Sequence, residues 1–190
     1  SHEALTTMGS VLGASLMGSD LSRYPGADLV QMLGGYFSSA NGENLFLANI
    51  ATRSGQTFWA ELFPGMFAGA LVALYPERTF PSEARLAADF LATADRWLTA
   101  SNVMHARGSY DHTAFNHLTQ EPFDNGLWRE PDSAAGIAYI EYLAYAKTGD
   151  PKYVAATRES LDWMSGLTFN PNYELLTPFG AYVAARMNRE

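Results

Sequence analysis

Residues 148–152 read Thr-Gly-Asp-Pro-Lys, between two runs whose apolar residues recur at helical spacing. Glycine takes the left-handed cap that ends one helix, aspartate caps the next, and proline fits its first turn. Two helices, 133–147 and 151–165, are therefore expected. A link this short forces them antiparallel, as an αα-hairpin.

The same spacing extends along most of the chain. Leu5, Met8, Leu12 and Leu16 predict a helix over 3–17. Pro25 opens a second through Leu29, Met32, Leu33 and Tyr36. Asn41-Gly42 breaks it with a turn, and the start of "LFLANIATRSG" reads as a short strand. "QTFWAELFPGMFAGALVALYP" predicts a helix interrupted near Pro64-Gly65 and stopped at Pro76. The clearest helix, 81–100, opens at Pro81-Ser82 and repeats Leu86, Phe90, Ala94, Trp97 and Leu98. Residues 101–131 lack a period and read as a long loop, where polar site residues concentrate. A last helix, 178–189, begins at Pro178. "PSEARLAADFLATADRWL" and "PKYVAATRESLDWM" echo each other, each opening on Pro and closing on Asp and Trp. Seven helices with almost no strand give an all-α class, a single 1–190 domain of antiparallel helical hairpins.

A formal charge of −8, with no Lys/Arg run, disfavours nucleic acid as a partner. No apolar run approaches the roughly 20 residues that span a bilayer, so no membrane partner is expected. The absence of cysteine removes disulfides, thiolate metal sites and a cysteine nucleophile. Aromatic residues reach 13%, more than a core alone asks for, and flat apolar sugar faces suit them. Nucleotide-loop and Gly-x-Ser-x-Gly patterns do not occur. Neither cofactor nor metal is expected. His112 and His117 lie five apart, not the three or four that bring two ligands to one helix face.

Residues 126–164, "GLWREPDSAAGIAYIEYLAYAKTGDPKYVAATRESLDWM", resemble the six-hairpin glycosidase superfamily of (α/α) toroids. The unsaturated glucuronyl and rhamnogalacturonyl hydrolases look most similar. "GENLFLANIATRSGQTFWAELFPGMFAGALVALYP" is similar to another hairpin of such toroids. The resemblance implies glycoside hydrolysis, with acidic oligo- or polysaccharides as substrate, and a secreted or periplasmic location, any export signal lying before the first residue. Of the family's two acids only one has a matching position, Asp132. Seven helices do not close a twelve-helix ring. The chain is therefore expected to be a fragment of a larger toroid or to carry an apolar flank, covered by a second copy or by further C-terminal sequence.

Glycoside hydrolysis needs a proton-donating carboxyl and a second carboxylate. Glu130 and Asp132 bracket Pro131 at a loop–helix junction. Trp128 would stack on a sugar ring and Arg129 would grip a uronate carboxylate. Asp132 equally fits an N-cap, and the two roles do not exclude each other. Arg53, Trp59 and Glu61 form a further candidate group, with Trp59 in the core and Glu61 structural as the competing reading. Tyr110, His112 and His117 would suit a polysaccharide lyase, against a plain polar surface loop. A non-catalytic carbohydrate-binding or scaffold domain is the third reading.

Overall fold

The computed structural model describes residues 3–39, 41–49, 52–75 and 81–189. Helix takes 61% of them, well above the roughly one-third typical of globular proteins. The chain is all-α. Seven α-helices occur among the described residues, in the order α1 (Glu3–Leu16), α2 (Leu29–Met32), α3 (Phe58–Leu74), α4 (Pro81–Ala106), α5 (Ser133–Thr148), α6 (Pro151–Ser165) and α7 (Thr177–Met187). Two small antiparallel hairpins join them: β1 (Phe37–Ser38) with β2 (Leu45–Phe46), and β3 (Ala114–Asn116) with β4 (Glu121–Phe123).

Helix α1 buries Ala4, Leu5, Met8 and Val11, while Leu16 is 66% exposed, so the apolar stripe ends a turn early. Helix α2 begins later than the proline signal predicts. Asp28 caps it, its Oδ1 accepting the Gln31 amide at 2.8 Å, and residues 33–36 continue as a 3-10 turn. Pro25 instead lies in a tight turn that pairs Tyr24 with Ala27. The Asn41-Gly42 turn joins β1 to β2, with Gly42 at φ 82°.

The expected break at Pro64 does not occur. Proline removes the amide that would bond the Ala60 carbonyl, a loss that ordinarily kinks a helix. Here the Ala48 amide supplies the missing bond at 2.9 Å, and α3 runs on through Leu74. The stop read at Pro76 lies outside the described residues. Helix α4 exceeds the expected 81–100 by six residues, adding Met104 to the buried stripe. The long loop is correspondingly shorter, and the β3–β4 hairpin occupies its middle.

The α5–α6 joint forms as the sequence dictates. Gly149 has φ 72° and donates to the Tyr145 carbonyl at 2.7 Å, and Asp150 Oδ1 accepts the Lys152 amide at 3.0 Å. Helices α1, α3, α5 and α7 pack side by side in that order, while α4 packs on α3 and α5, α6 packs on α5 and α4, and α2 joins through α4. Glycines set the spacing. Gly69 of α3 faces Phe90 of α4 and Leu143 of α5, and Gly180 of α7 faces Ala135 of α5. The tyrosine face of α5 packs on α7, with Tyr139 edge-on to Phe179 at 5.0 Å and Tyr142 accepting from Arg186 at 3.1 Å. Between α6 and α7 runs a groove of about 610 Å³, lined by apolar side chains including Leu161, Met164 and Met187. None of the described helices is long and apolar enough to cross a membrane.

Gly→Ala substitutions separate packing from propensity. A Cβ at Gly69 would lie 2.6 Å from Phe90 Cε2, whereas at Gly13 it would meet nothing within 4 Å. Gly13→Ala should stabilise the protein by about 0.5–1 kcal/mol. Gly69→Ala should destabilise it by about 1–3 kcal/mol. Urea unfolding of both variants measures the contrast.

Candidate functional site

Three helices of the α1–α3–α5–α7 row begin at one end of the molecule. Their leading residues line an open pocket of about 310 Å³ formed by Thr57, Trp59, Trp128, Glu130, Tyr173 and Glu174. Thr57 caps α3, accepting the Ala60 amide at 3.2 Å, and Trp59 follows in the first turn. Pro131 disfavours helix at Glu130. Residues 128–130 therefore run as extended chain beside 112–113. Glu130 donates its amide to the His112 carbonyl at 2.9 Å, and Thr113 Oγ1 donates to the Trp128 carbonyl at 2.7 Å.

Glu130 lies at the pocket floor, 1% exposed. Its Oε1 accepts from Trp128 Nε1 at 3.2 Å, and its Oε2 has no hydrogen-bond partner. Burial pushes its pKa up to about 8, against the hydrogen bonds from the Trp128 indole and the Trp59 backbone that pull it down. The negative charges of Glu174 and Asp132 add to the rise. At neutral pH this carboxyl holds its proton. Glu174 is only partly buried; desolvation and then the charge of Asp132 raise it. Two carboxyls in unlike environments thus share one aromatic pocket.

Asp132 is placed differently from either sequence reading. It is fully buried rather than at a rim, and its side chain makes no cap bond to α5. Instead Oδ2 accepts three amides from the chain that leads into α7: Tyr173 at 3.0 Å, Glu174 at 2.9 Å and Leu176 at 3.1 Å. Oδ2 thus holds the 173–176 segment in place, while Oδ1 has no hydrogen-bond partner.

The other candidates disperse. Glu61 is buried and accepts the amides of Gly55, Gln56 and Phe115 at 2.7, 2.9 and 3.2 Å. Burial still pushes it up to about 8. Tyr110 is buried in the core, its hydroxyl 3.0 Å from Ser101 Oγ. His117 is buried edge-on to Trp97 at 4.5 Å, and desolvation lowers its pKa to about 3, so it stays neutral. His112 pairs through Nδ1 with Asp124 at 3.2 Å. Arg129 lies beyond Trp128, beside Asp124 and Asp111 at 3.5 and 3.7 Å, and lines a second pocket of about 400 Å³. Arg53 is exposed and lines neither pocket. The structure thus brings Trp59, Trp128 and Glu130 together, with Arg129 adjacent. Among the described residues no group of three or more His, Cys, Asp or Glu side chains is placed to hold a metal ion.

Sequence reasoning missed Tyr173 and Glu174. A signal existed: like Trp128 and Glu130, they pair an aromatic with an acid just ahead of a helix that opens near a proline. Comparison with protein-family models, curated proteins and solved structures returns no match for this chain.

Two outcomes are expected. Asp132→Ala strands three amides of a charge-assisted cluster, so it should cost more than the about 2 kcal/mol ceiling of a lost N-cap, measured by urea unfolding. Stability should also fall as pH rises from 6.5 to 8. In that window the folded chain keeps protons on Glu61 and Glu130, raised to about 8, that the unfolded chain has released near the ordinary value of 4.5. Below pH 6.5 the depressed His117 opposes this, because the unfolded chain takes up a proton there that the folded chain does not. The urea midpoint at pH 8 should lie below that at 6.5, and Glu130→Gln should shrink the difference.

Proposed function

We propose that this chain is a carbohydrate-active domain, an arc of an (α/α) toroid, that hydrolyses glycosidic bonds in the pocket at the start of α3, α5 and α7. The observation that carries the reading is the pairing of a buried, protonated Glu130 with a more exposed Glu174 between Trp59, Trp128 and Tyr173. Sugar rings stack on indole and phenol faces through their C–H surfaces. Glu130 gives its proton to the glycosidic oxygen as the bond to the anomeric carbon breaks. Glu174 activates the attacking water or attacks that carbon itself. Asp132 is a positioning residue, holding the 173–176 segment that presents Tyr173 and Glu174.

Side-by-side helices with α4 and α6 packed against them suit a toroidal arc, and the apolar α6–α7 groove suits the edge where a further hairpin or second copy packs. A polymeric substrate fits a secreted or periplasmic location. The lyase reading asks Tyr110, His112 and His117 to face one cleft, and burial of Tyr110 and His117 removes its support.

Release of reducing ends from a panel of oligosaccharides at pH 6.5 tests the proposal. Glu130→Gln and Glu174→Gln should each lower kcat by about 10²–10⁴-fold while the protein stays folded. Undiminished hydrolysis in Glu130→Gln would remove Glu130 from the chemistry.

A further inference from the structure

The resemblance implies acidic sugars, but the charges around the pocket point elsewhere. We infer that the site takes sugars that are uncharged or carry an ammonium group, hexosamines with a free amine above all, and turns away uronates. This rests on the carbohydrate reading above and narrows its substrate class.

Glu130 and Glu174 line the pocket, and the acidic side chain of Asp132 accepts the Glu174 amide just behind it. Across the Trp128 indole, the second pocket adds Asp124, with Asp111 and His112 behind it. Arg129 is the one cation among the residues lining the two pockets, and it is already shared between Asp124 and Asp111. A uronate carboxylate would have to displace one of those aspartates or lie unpaired beside Glu174, a cost that selects against it. Helix N-termini ordinarily favour anions. At α3 the Phe58 and Ala60 amides are already taken by the Thr113 carbonyl and Thr57 Oγ1, and at α7 the Leu176 amide is taken by Asp132. An ammonium meets the opposite field, with Glu174 and Asp124 to pair and indole faces to lie against. The unpartnered Oε2 of Glu130, buried at the pocket floor, marks where a ligand hydroxyl or bridging oxygen completes the hydrogen bonding.

The test is calorimetric titration at pH 6.5 and low salt with glucosamine, cellulose-type glucose and galacturonate tetramers. The glucosamine tetramer should bind at least about tenfold more tightly than the galacturonate, with the neutral tetramer between them. The gap should narrow in Glu174→Gln and Asp124→Asn, and at about 0.5 M salt. Trp128→Ala should weaken all three. Galacturonate binding as tightly as glucosamine overturns the inference while leaving the carbohydrate reading standing. A preference unchanged in Glu174→Gln combined with Asp124→Asn also overturns it, because the protein's overall negative charge would then be its source. Failure of all three tetramers to bind ends the carbohydrate reading itself.

Discussion

Loops that enter helices carry backbone amides with no ladder to join, and burying them unpaired is costly. In this protein buried carboxyl groups take them up. Asp132 receives three amides ahead of α7, Glu61 receives three from the approach to α3 and from β3, and Glu43 receives the Ser54 amide and hydroxyl at 2.9 Å each. Asp132 and Glu61 thereby tie loops to segments distant in sequence. Without them the segments bearing Trp59, Tyr173 and Glu174 would have no fixed relation to one another, and the pocket would have no walls.

The second constraint is the closeness of the helices. Gly69 and Gly180 let side chains of the neighbouring helices approach to distances a Cβ would forbid. Pro64 shows the same economy. Its missing amide leaves the Ala60 carbonyl free, and Ala48 comes in to bond it, tying the chain after β2 to the start of α3. A residue that elsewhere breaks helices thus fastens a loop.

Glu130 and Asp132 stand two residues apart, yet their chemistry diverges. One oxygen of Asp132 accepts three backbone amides, and the other has no partner. Glu130 has an indole N–H and one backbone donor, an empty oxygen and acidic neighbours, so desolvation dominates and the proton stays. The donors each carboxyl finds come from far along the chain, some forty positions away for Asp132 and some seventy for the Glu130 backbone contact.

The sequence by itself determined the helices, because their apolar spacing and their caps are local. Gly149, Asp150 and Pro151 specify the α5–α6 joint through neighbours alone, and Trp97 and Phe90 declare a buried stripe by periodicity. It also brought Trp128, Glu130 and Trp59 forward, since aromatic and acidic residues beside helix starts are visible in one dimension. Only tertiary structure decided the rest. The continuity of α3 through Pro64 depends on an amide sixteen residues earlier, and α2 starts at the Asp28 cap and not at Pro25. The role of Asp132 was set by a loop forty residues later, and those of Tyr110 and His117 by the depth at which the core buries them. Each of these turns on a hydrogen bond or a solvent exposure between parts of the chain that the sequence alone does not bring together.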